Sequence, residues 1–317
     1  MPNPFFSVII PTYNRAHLVG ETIESVLAQT FKDFELIIVD DGSTDNTKEV
    51  VSKYLSDPRV KYIYQENKER AAARNNGIKN SNGKWMAFLD SDDLLLPNHL
   101  EACSNRIHQI NEPALVYSLS YIADKKGNII TKQRKKILEG HVLEKIVIQG
   151  HAGFANSSSC VHKSIFYDVG FLNENKHLSG SEDTELWIRI ASKYSFYSTG
   201  KYTVKLRGHE GQTMIDSVKM EQCLKKMHEI IFSNTDLQII HLKNGASANL
   251  NILISINYYS IGKMRVARNY LYNAVKNKRI VLSYKLWWWT FFRSLFPIIV
   301  INKLRKLKYH IYGFFLN

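Results

Sequence analysis

Short apolar runs alternate with amphipathic stretches through the first ninety residues, and that rhythm predicts an α/β architecture. FFSVII (Phe5 to Ile10) reads as a buried strand ended by Pro11. From Ala16 to Gln29, residues Leu18, Val19, Ile23, Val26 and Leu27 fall on one stripe at helical spacing. FELIIVD (Phe34 to Asp40) is a second strand; the next helix buries Val50, Val51, Tyr54 and Leu55, with Ser43 or Thr44 available as its cap. VKYIY (Val60 to Tyr64) gives a third strand, Glu69 to Lys79 a third helix, and KWMAFLD (Lys84 to Asp90) a fourth strand. Strands separated by helix-length segments imply a mainly parallel sheet with helices on both faces. Ligands of such sheets bind outside the carboxyl ends of the strands.

Beyond Asn98 the pattern is less regular. It predicts a helix from Pro97 to Ile110, a strand from Ala114 to Leu119, and a hairpin turning at Lys125-Lys126-Gly127-Asn128. Lys132 to Lys136 reads as a solvated loop, and Asn156 to Ser159 as a polar loop before a helix near Lys163 to Val169. Glu182 to Lys193 is amphipathic through Leu186, Trp187 and Ile190, and a strand from Tyr202 to Leu206 runs into Arg207-Gly208-His209. From about Asp216 the chain reads as mostly helical.

Charge changes the picture only when it is located. The 317 residues carry a formal net charge of +13. Met1 to Ile240 holds 29 Lys and Arg against 29 Asp and Glu, whereas His241 to Asn317 holds 13 basic residues and no acid. Such asymmetry points to a polyanionic partner, either nucleic acid or an anionic membrane surface. Leu286 to Ile301 (LWWWTFFRSLFPIIVI) is the most apolar segment, but Arg293 and Pro297 interrupt it. A mid-span arginine costs roughly 2.5–3.5 kcal/mol on insertion scales, and tryptophans favour the headgroup region. With Lys303, Arg305, Lys306 and Lys308 following, the expectation is a helix lying on an anionic inner leaflet. The alternative is a helical subdomain packed on the rest of the chain, with its basic residues merely solvated. No recognition module accompanies the charge, which disfavours nucleic acid.

Cys103, Cys160 and Cys223 are far apart and show no metal-ligand spacing, so reduced thiols of a cytosolic protein are expected. The apolar run at Phe5 to Ile10 is too short for a secretory signal and has no basic segment before it.

Candidate chemistry gathers where the sheet would place its crevice. Strand one ends in Pro11-Thr12-Tyr13-Asn14-Arg15, strand two in Asp40-Asp41-Gly42-Ser43, and strand four in Asp90-Ser91-Asp92-Asp93. Carboxylates two residues apart can point to one side and repel each other. A hard cation relieves that repulsion, and Mg²⁺ or Mn²⁺ takes one or two carboxylates plus phosphate oxygens. A solvated acidic loop, or Asp93 capping the next helix, fits the same residues. Asp41 suits a nucleobase imide or ribose hydroxyl, or simply a turn. Arg74, among small helical residues, could reach a diphosphate or lie on the surface. Glu182 and Asp183 open a helix, where acids complement the dipole, and either could serve as general base. Arg207 and His209 could touch phosphate or metal. Walker, G-x-G-x-x-G, H-E-x-x-H and nucleophile-elbow motifs are absent from the sequence.

The order and spacing of these signals are more specific than any one of them. S-V-I-I-P-T-Y-N-R (Ser7 to Arg15), V-D-D-G-S-T-D (Val39 to Asp45), A-A-A-R-N-N-G (Ala71 to Gly77) and F-L-D-S-D-D (Phe88 to Asp93) closely resemble the family 2 glycosyltransferases. G-F-L-N-E (Gly170 to Glu174), S-E-D-T-E-L-W-I-R (Ser181 to Arg189) and L-R-G-H-E-G-Q (Leu206 to Gln212) look like that family's acceptor-side motifs. The resemblance covers roughly the first two-thirds of the chain.

It implies a GT-A-type, Rossmann-like sheet, a nucleotide-diphospho-sugar donor (usually UDP-linked), Mn²⁺ or Mg²⁺, and inversion at the anomeric carbon. Pro11, Thr12, Tyr13 and Asp41 would line the nucleobase and ribose pocket, with Arg15 and Ser91 in the same donor site. Arg74 would lie toward the diphosphate, Asp90 would contact ribose or metal, and Asp92 would be the principal metal ligand. Within the Glu182-Asp183 pair the second residue is the expected base. Arg207 and His209 would approach phosphates or metal. G-F-L-N-E departs from the more frequent G-G-F-D-E and gives no help with the acceptor. The expected layout is a catalytic domain over 1–215, with 1–95 as nucleotide-sugar half and 96–215 as acceptor half, and a basic helical region over 216–317. A saccharide or lipid-linked saccharide acceptor, surface polysaccharide or glycolipid synthesis, and a cytoplasmic position on the inner membrane face complete the expectation. Two competitors are an inactive nucleotide-sugar binder and a membrane-associated scaffold. A nucleotidyltransferase would need a glycine-rich, arginine-containing loop after strand one, and P-T-Y-N-R is not that.

Overall fold

The computed structural model of the chain describes residues 3–110, 112–133, 137–208, 217–278 and 285–295. It divides into two compact units: Met1–Ile146 with His151–Gln212, and Val147–Gly150 with Thr213–Asn317.

The first unit opens as a regular strand–helix alternation: β1 (Phe6–Thr12), α1 (Val19–Leu27), β2 (Phe34–Asp40), α2 (Thr47–Ser52), β3 (Val60–Tyr64), α3 (Glu69–Lys79) and β4 (Trp85–Phe88). These strands pair in parallel in the order β3-β2-β1-β4. Every residue of β1, β2 and β4 is buried, which is why they read as apolar runs and not as alternating ones. Helix α3 packs tightly on this sheet because its facing residues are small. A Cβ on Gly77 would lie 2.5 Å from Ile9 Cγ2, and Ala73 sits among Ile37 and Val39. The close approach brings Arg74, one position on, to the end of β4.

The chain then supplies β5 (Leu94–Leu95), α4 (His99–Ile107), β6 (Leu115–Ala123), β7 (Ile129–Lys132), α5 (Leu143–Gln149), β8 (Ser159–His162), α6 (Lys163–Val169), α7 (Glu182–Ala191) and β9 (Phe196–Arg207). One sheet results, ordered β3-β2-β1-β4-β8-β6-β9-β5, with β7 paired to β6. Strand β8 enters antiparallel to both β4 and β6, while β9 runs parallel to β6. The architecture is a mixed α/β sheet with helices, and its parallel β3-β2-β1-β4 part is the one the alternation predicted.

Four local expectations are corrected. Asn156 to Ser159 is no loop: Asn156–Ser158 is a 3-10 turn and Ser159 begins β8. Its serines are buried, and Ser158 and Ser159 donate locally to Ala155 O and Asn156 O, so polarity hides a core strand. The strand expected at Tyr202 begins at Phe196, because the polar stretch Ser198 to Lys201 masks its first half. Neither Ser43 nor Thr44 caps α2; Asp45 Oδ1 accepts from Thr47 N, and Ser43 Oγ accepts from Asn14 N. The cysteines are free thiols, as expected, and Cys103 and Cys160, remote in sequence, meet beside His99 in the core. The Lys132 to Lys136 segment begins inside β7, and its residues 134–136 lie outside the described ones.

The second unit is helical: α8 (Ser217–Ser233), α9 (Lys243–Ser260), α10 (Met264–Asn277) and α11 (Lys285–Ser294). Gly262, at φ 81°, turns α9 into α10. Ala248, Ile252, Leu271, Ala274 and Trp287 form its core, with Trp287 Nε1 donating to Leu271 O. Glu221 accepts from Tyr258, Tyr270 and Lys225. Among the described residues no helix is long and apolar enough to cross a membrane.

Candidate active site

The first two strand ends are locked together by backbone geometry. Asp41 N donates to Thr12 O at 2.9 Å. Asn14, in the left-handed region at φ 51°, accepts from Thr44 N through Oδ1 at 2.8 Å. Asparagine tolerates that conformation better than most residues. Asp40 and Asp41 diverge, as neighbours on a strand must. Asp40 accepts from Ser43 N and Tyr62 Oη, whereas Asp41 accepts from Gln65 Nε2 and Lys68 N, both on Oδ1. Pro11 and Thr12 are buried and Tyr13 is 48% exposed. The buried Thr12 hydroxyl makes no hydrogen bond among the described residues, as a site awaiting a polar ligand would leave it.

The turn after β4 is pinned through its backbone. Thr22 Oγ1 donates to Ser91 O and Asp93 O at 2.9 and 3.0 Å, and Arg207 Nε donates to Asp92 O at 2.8 Å. Asp93 faces inward, accepting from Ser157 Oγ and Arg207 N. Burial, with the Asp92 and Asp90 charges beside it, pushes its carboxyl well above the usual range. Ser91 is buried. The Asp90 and Asp92 side chains remain 35% and 21% accessible, with Arg15 Nη2 3.9 Å from Asp92 Oδ2. Two accessible carboxylates with oxygen donors only are the set that Mg²⁺ or Mn²⁺ accepts alongside phosphate oxygens.

A buried arginine joins that turn to the start of α7. Arg74 is 2% exposed; Nη2 donates to Asp90 Oδ1 and Nη1 to Glu182 Oε1, each at 2.7 Å. Burial works against the charge, but Asp90 and Glu182 hold the guanidinium more firmly protonated than usual. For Asp90, partial desolvation raises the carboxyl, but the Arg74 charge and hydrogen bond outweigh it and keep it below the ordinary carboxylate range. Glu182 Oε2 also accepts from Gly180 N, and Arg70 Nε lies 3.9 Å from Oε1. Asp183, the next residue, responds in the opposite direction. Burial and then the Glu182 charge push it up to about 6, against the pull of Arg74. A carboxyl poised there is basic enough to take a proton and still ionised at neutral pH.

Thus Asp90, Arg74 and Glu182 form one bonded network, with Ser91 and Asp92 on the same turn, Arg15 3.9 Å from Asp92, and Asp183 next to Glu182, while Thr12 and Asp41 are bonded to each other at the neighbouring strand ends. Arg207 is placed otherwise than expected: it is 1% exposed, and its groups donate to Glu21 Oε2, Asp92 O and Asp93 Oδ1. It struts the acidic turn from within. Arg74 likewise directs both arms of its fork at carboxylates of the chain. His209 lies outside the described residues. Three contributors escaped the sequence reading: Thr22, Ser157 and Glu21. For Thr22 a faint signal existed, a hydroxyl on the buried stripe of α1; for Ser157 and Glu21 none did. Asn75 ties the site's flank, bonding Leu172 O and Glu174 Oε1, so the G-F-L-N-E segment docks on α3.

Comparison with known proteins places the chain in a family and its fold among solved structures. The model of glycosyl transferase family 2 matches residues 7–170. An uncharacterized glycosyltransferase of Rickettsia conorii is 31% identical over 82% of this chain, which spans 45% of that protein's length. Chondroitin synthase of Escherichia coli is 37% identical over 78% of the chain, corresponding to 35% of the synthase. An uncharacterized glycosyltransferase of Methanocaldococcus jannaschii is 30% identical over 70% of the chain and 77% of its own length. Among solved structures, S. aureus TarS residues 1–349 in complex with UDP-GlcNAc superposes with a TM-score of 0.61 at 20% identity, covering 86% of this chain and 81% of that one. The Pyrobaculum calidifontis mannosyltransferase PcManGT, in complex with GDP-Man and Mn²⁺, gives 0.62 at 17% identity, covering 92% and 84%. Both share the fold. With the family model covering more than half of its length, the chain belongs to glycosyl transferase family 2.

Proposed function

We propose that the chain moves one glycosyl group from a nucleotide-diphosphate sugar to an acceptor hydroxyl, with inversion at the anomeric carbon. The observation that carries this reading is the Asp90–Arg74–Glu182 network, which sets a poised Asp183 beside the accessible Asp90-Ser91-Asp92 turn. Inversion needs a nucleophile deprotonated on one face of the sugar and a leaving group on the other. Asp183 takes the proton from the acceptor hydroxyl as that oxygen bonds to the anomeric carbon. The bond from that carbon to the diphosphate oxygen breaks, and its electron pair departs with the nucleoside diphosphate. Asp92, with Asp90, would hold Mn²⁺ or Mg²⁺, which when bound neutralises charge on the diphosphate. Thr12 and Asp41 offer a hydroxyl and a carboxylate to the base or ribose. Arg74 and Glu182 tune the base from behind.

Nucleotide sugars bound to TarS and PcManGT support a donor of this class; one is a UDP- and the other a GDP-sugar, so both belong in the test. The chain should release nucleoside diphosphate from one member of a nucleotide-sugar panel with Mn²⁺ present, stop in EDTA, and recover when Mn²⁺ is restored. Release that EDTA leaves untouched sinks the metal assignment. Donor binding with no release from any member favours an inactive sugar-nucleotide binder.

The similarity to chondroitin synthase supports a growing saccharide as acceptor. The second unit supports placement on an anionic membrane: Trp288, Trp289 and Phe292 are exposed on α11 while Trp287 is buried, and basic residues alone accompany them from His241 onward. Vesicles containing acidic phospholipid should pull the chain down on sedimentation; equal recovery with purely zwitterionic vesicles argues against that placement.

A further inference from the structure

A second cluster of ligand-type side chains lies in the core of the first unit, and the transferase reading makes no use of it. His99 and Cys103 are four residues apart on α4, so they project from one face of the helix. Cys160 comes from β8, opposite Ala87 of β4 and Val116 of β6. A ring nitrogen of His99 and the two sulfurs all lie within 4.8 Å of one another. His99 is 1% exposed, and both cysteines are fully buried. Among the described residues this is the one such group of three His, Cys, Asp or Glu side chains.

The surroundings favour a ligand over an ordinary apolar core. His99 Nε2 is 3.9 Å from Cys103 Sγ, a long and weak contact for the polar edge of a buried imidazole. On the other edge, His99 Nδ1 meets Thr203 Oγ1 at 2.8 Å, and Thr203 is itself fully buried. With the Thr203 hydroxyl accepting from Nδ1–H, the lone pair lies on Nε2, the arrangement that an outer partner enforces on a metal-bound histidine. The Ser118 hydroxyl, 3.8 Å from Cys103 Sγ, is a fourth donor within reach.

We propose that His99, Cys103 and Cys160 form a structural site for one thiophilic divalent cation, Zn²⁺, which clamps α4 to the middle of the sheet. Two thiolates and a neutral imidazole around Zn²⁺ carry no net charge, so the complex is compatible with full burial. Bond lengths of about 2.3 Å to sulfur and 2.0–2.1 Å to nitrogen place tetrahedral ligands roughly 3.5–3.8 Å apart. The three atoms, within 4.8 Å of one another, therefore need to close by about 1.3 Å at most. Soft donors separate this site from the oxygen-only turn at Asp90 and Asp92, which suits Mn²⁺ or Mg²⁺. As each metal binds, the two thiols release their protons to solvent.

The test uses the full chain, purified reduced and metal-free, then titrated with Zn²⁺ or with Co²⁺ as a spectroscopic probe. One equivalent should bind tightly, and the Co²⁺ form should show thiolate-to-cobalt charge-transfer absorption, a signature carboxylates do not give. Cys103→Ala and Cys160→Ala should each abolish that band, and Cys223→Ala should leave it intact. Thr203→Val keeps the shape and all three ligands, and should weaken Zn²⁺ binding roughly 10–100-fold. It tests the site even if the cysteine variants fail to fold. A folded, reduced wild type that gives no charge-transfer band overturns the proposal, as does a Cys103–Cys160 disulfide in the protein as isolated. The readouts are independent of turnover, so the outcome is separate from that of the transferase reading.

Discussion

Asp183→Asn should lower kcat by roughly 10²–10⁴-fold, the usual contribution of one general base, and leave donor affinity within a factor of a few. Asparagine keeps the size of the side chain and its capacity to accept from Thr184 N, so the helix start survives and only proton acceptance is lost. The pH profile gives the more specific signature. Asp183 works ionised, and its environment pushes it up to about 6. Wild-type kcat/KM should therefore climb as pH rises through about 6 and then level off, since that parameter reports groups of the free enzyme. The remaining rate of Asp183→Asn should lack this acidic limb. A variant that keeps both its rate and the limb would remove Asp183 from the chemistry.

Arg74→Met should cost about 3–5 kcal/mol of stability, the range for removing one partner from a buried charge network. The fork is almost wholly enclosed and holds Asp90 and Glu182 at 2.7 Å each, and its charge also lowers Asp183. Without it three acids remain close together, one of them, Glu182, buried. Arg70, 3.9 Å from Glu182, offsets only part of the loss. Asp183 should then hold its proton more tightly, so the acidic limb of kcat/KM moves to higher pH. Arg74→Lys should fall between, because lysine restores charge without the two-pronged geometry. Urea unfolding and pH profiles of the three proteins check both effects. A methionine variant of unchanged stability and unchanged limb would show that the network is not coupled as its distances indicate.

The parallel half of the sheet and its three strand ends were legible in the sequence because they depend on local pattern. β1, β2 and β4 are buried on both faces, so burial writes itself as continuous apolar runs, and the polar residues that stop each run mark the ligand edge. The antiparallel half was less legible. Strand β8 is four residues long and opens on serine, whose hydroxyl donates to Asn156 O of the preceding turn, so no periodicity announces it. Inward-facing partners were also hidden. Arg207 looks like a phosphate ligand from its place after a strand, and only the fold shows Glu21 and the Asp92 carbonyl receiving it. Ser157, which accepts from Asp90 N and donates to Asp93, and Thr22, which holds two carbonyls of the same turn, act across more than sixty residues of chain. His99 and Cys103 sit at helical spacing, but their third member arrives from a strand that the pattern did not reveal.

Binding of Mn²⁺ in the presence of nucleoside diphosphate, followed by the loss of free-ion electron paramagnetic resonance signal, tests the acidic turn most directly. Wild type and Asp183→Asn should each bind one ion together with the nucleotide, because Asp183 is not one of the carboxylates assigned to the ion. Asp92→Ala, equally folded, should lose that ion and with it the metal-dependent part of nucleotide affinity. An Asp92→Ala protein that still binds Mn²⁺ and nucleotide as tightly as wild type would contradict the assignment of this turn.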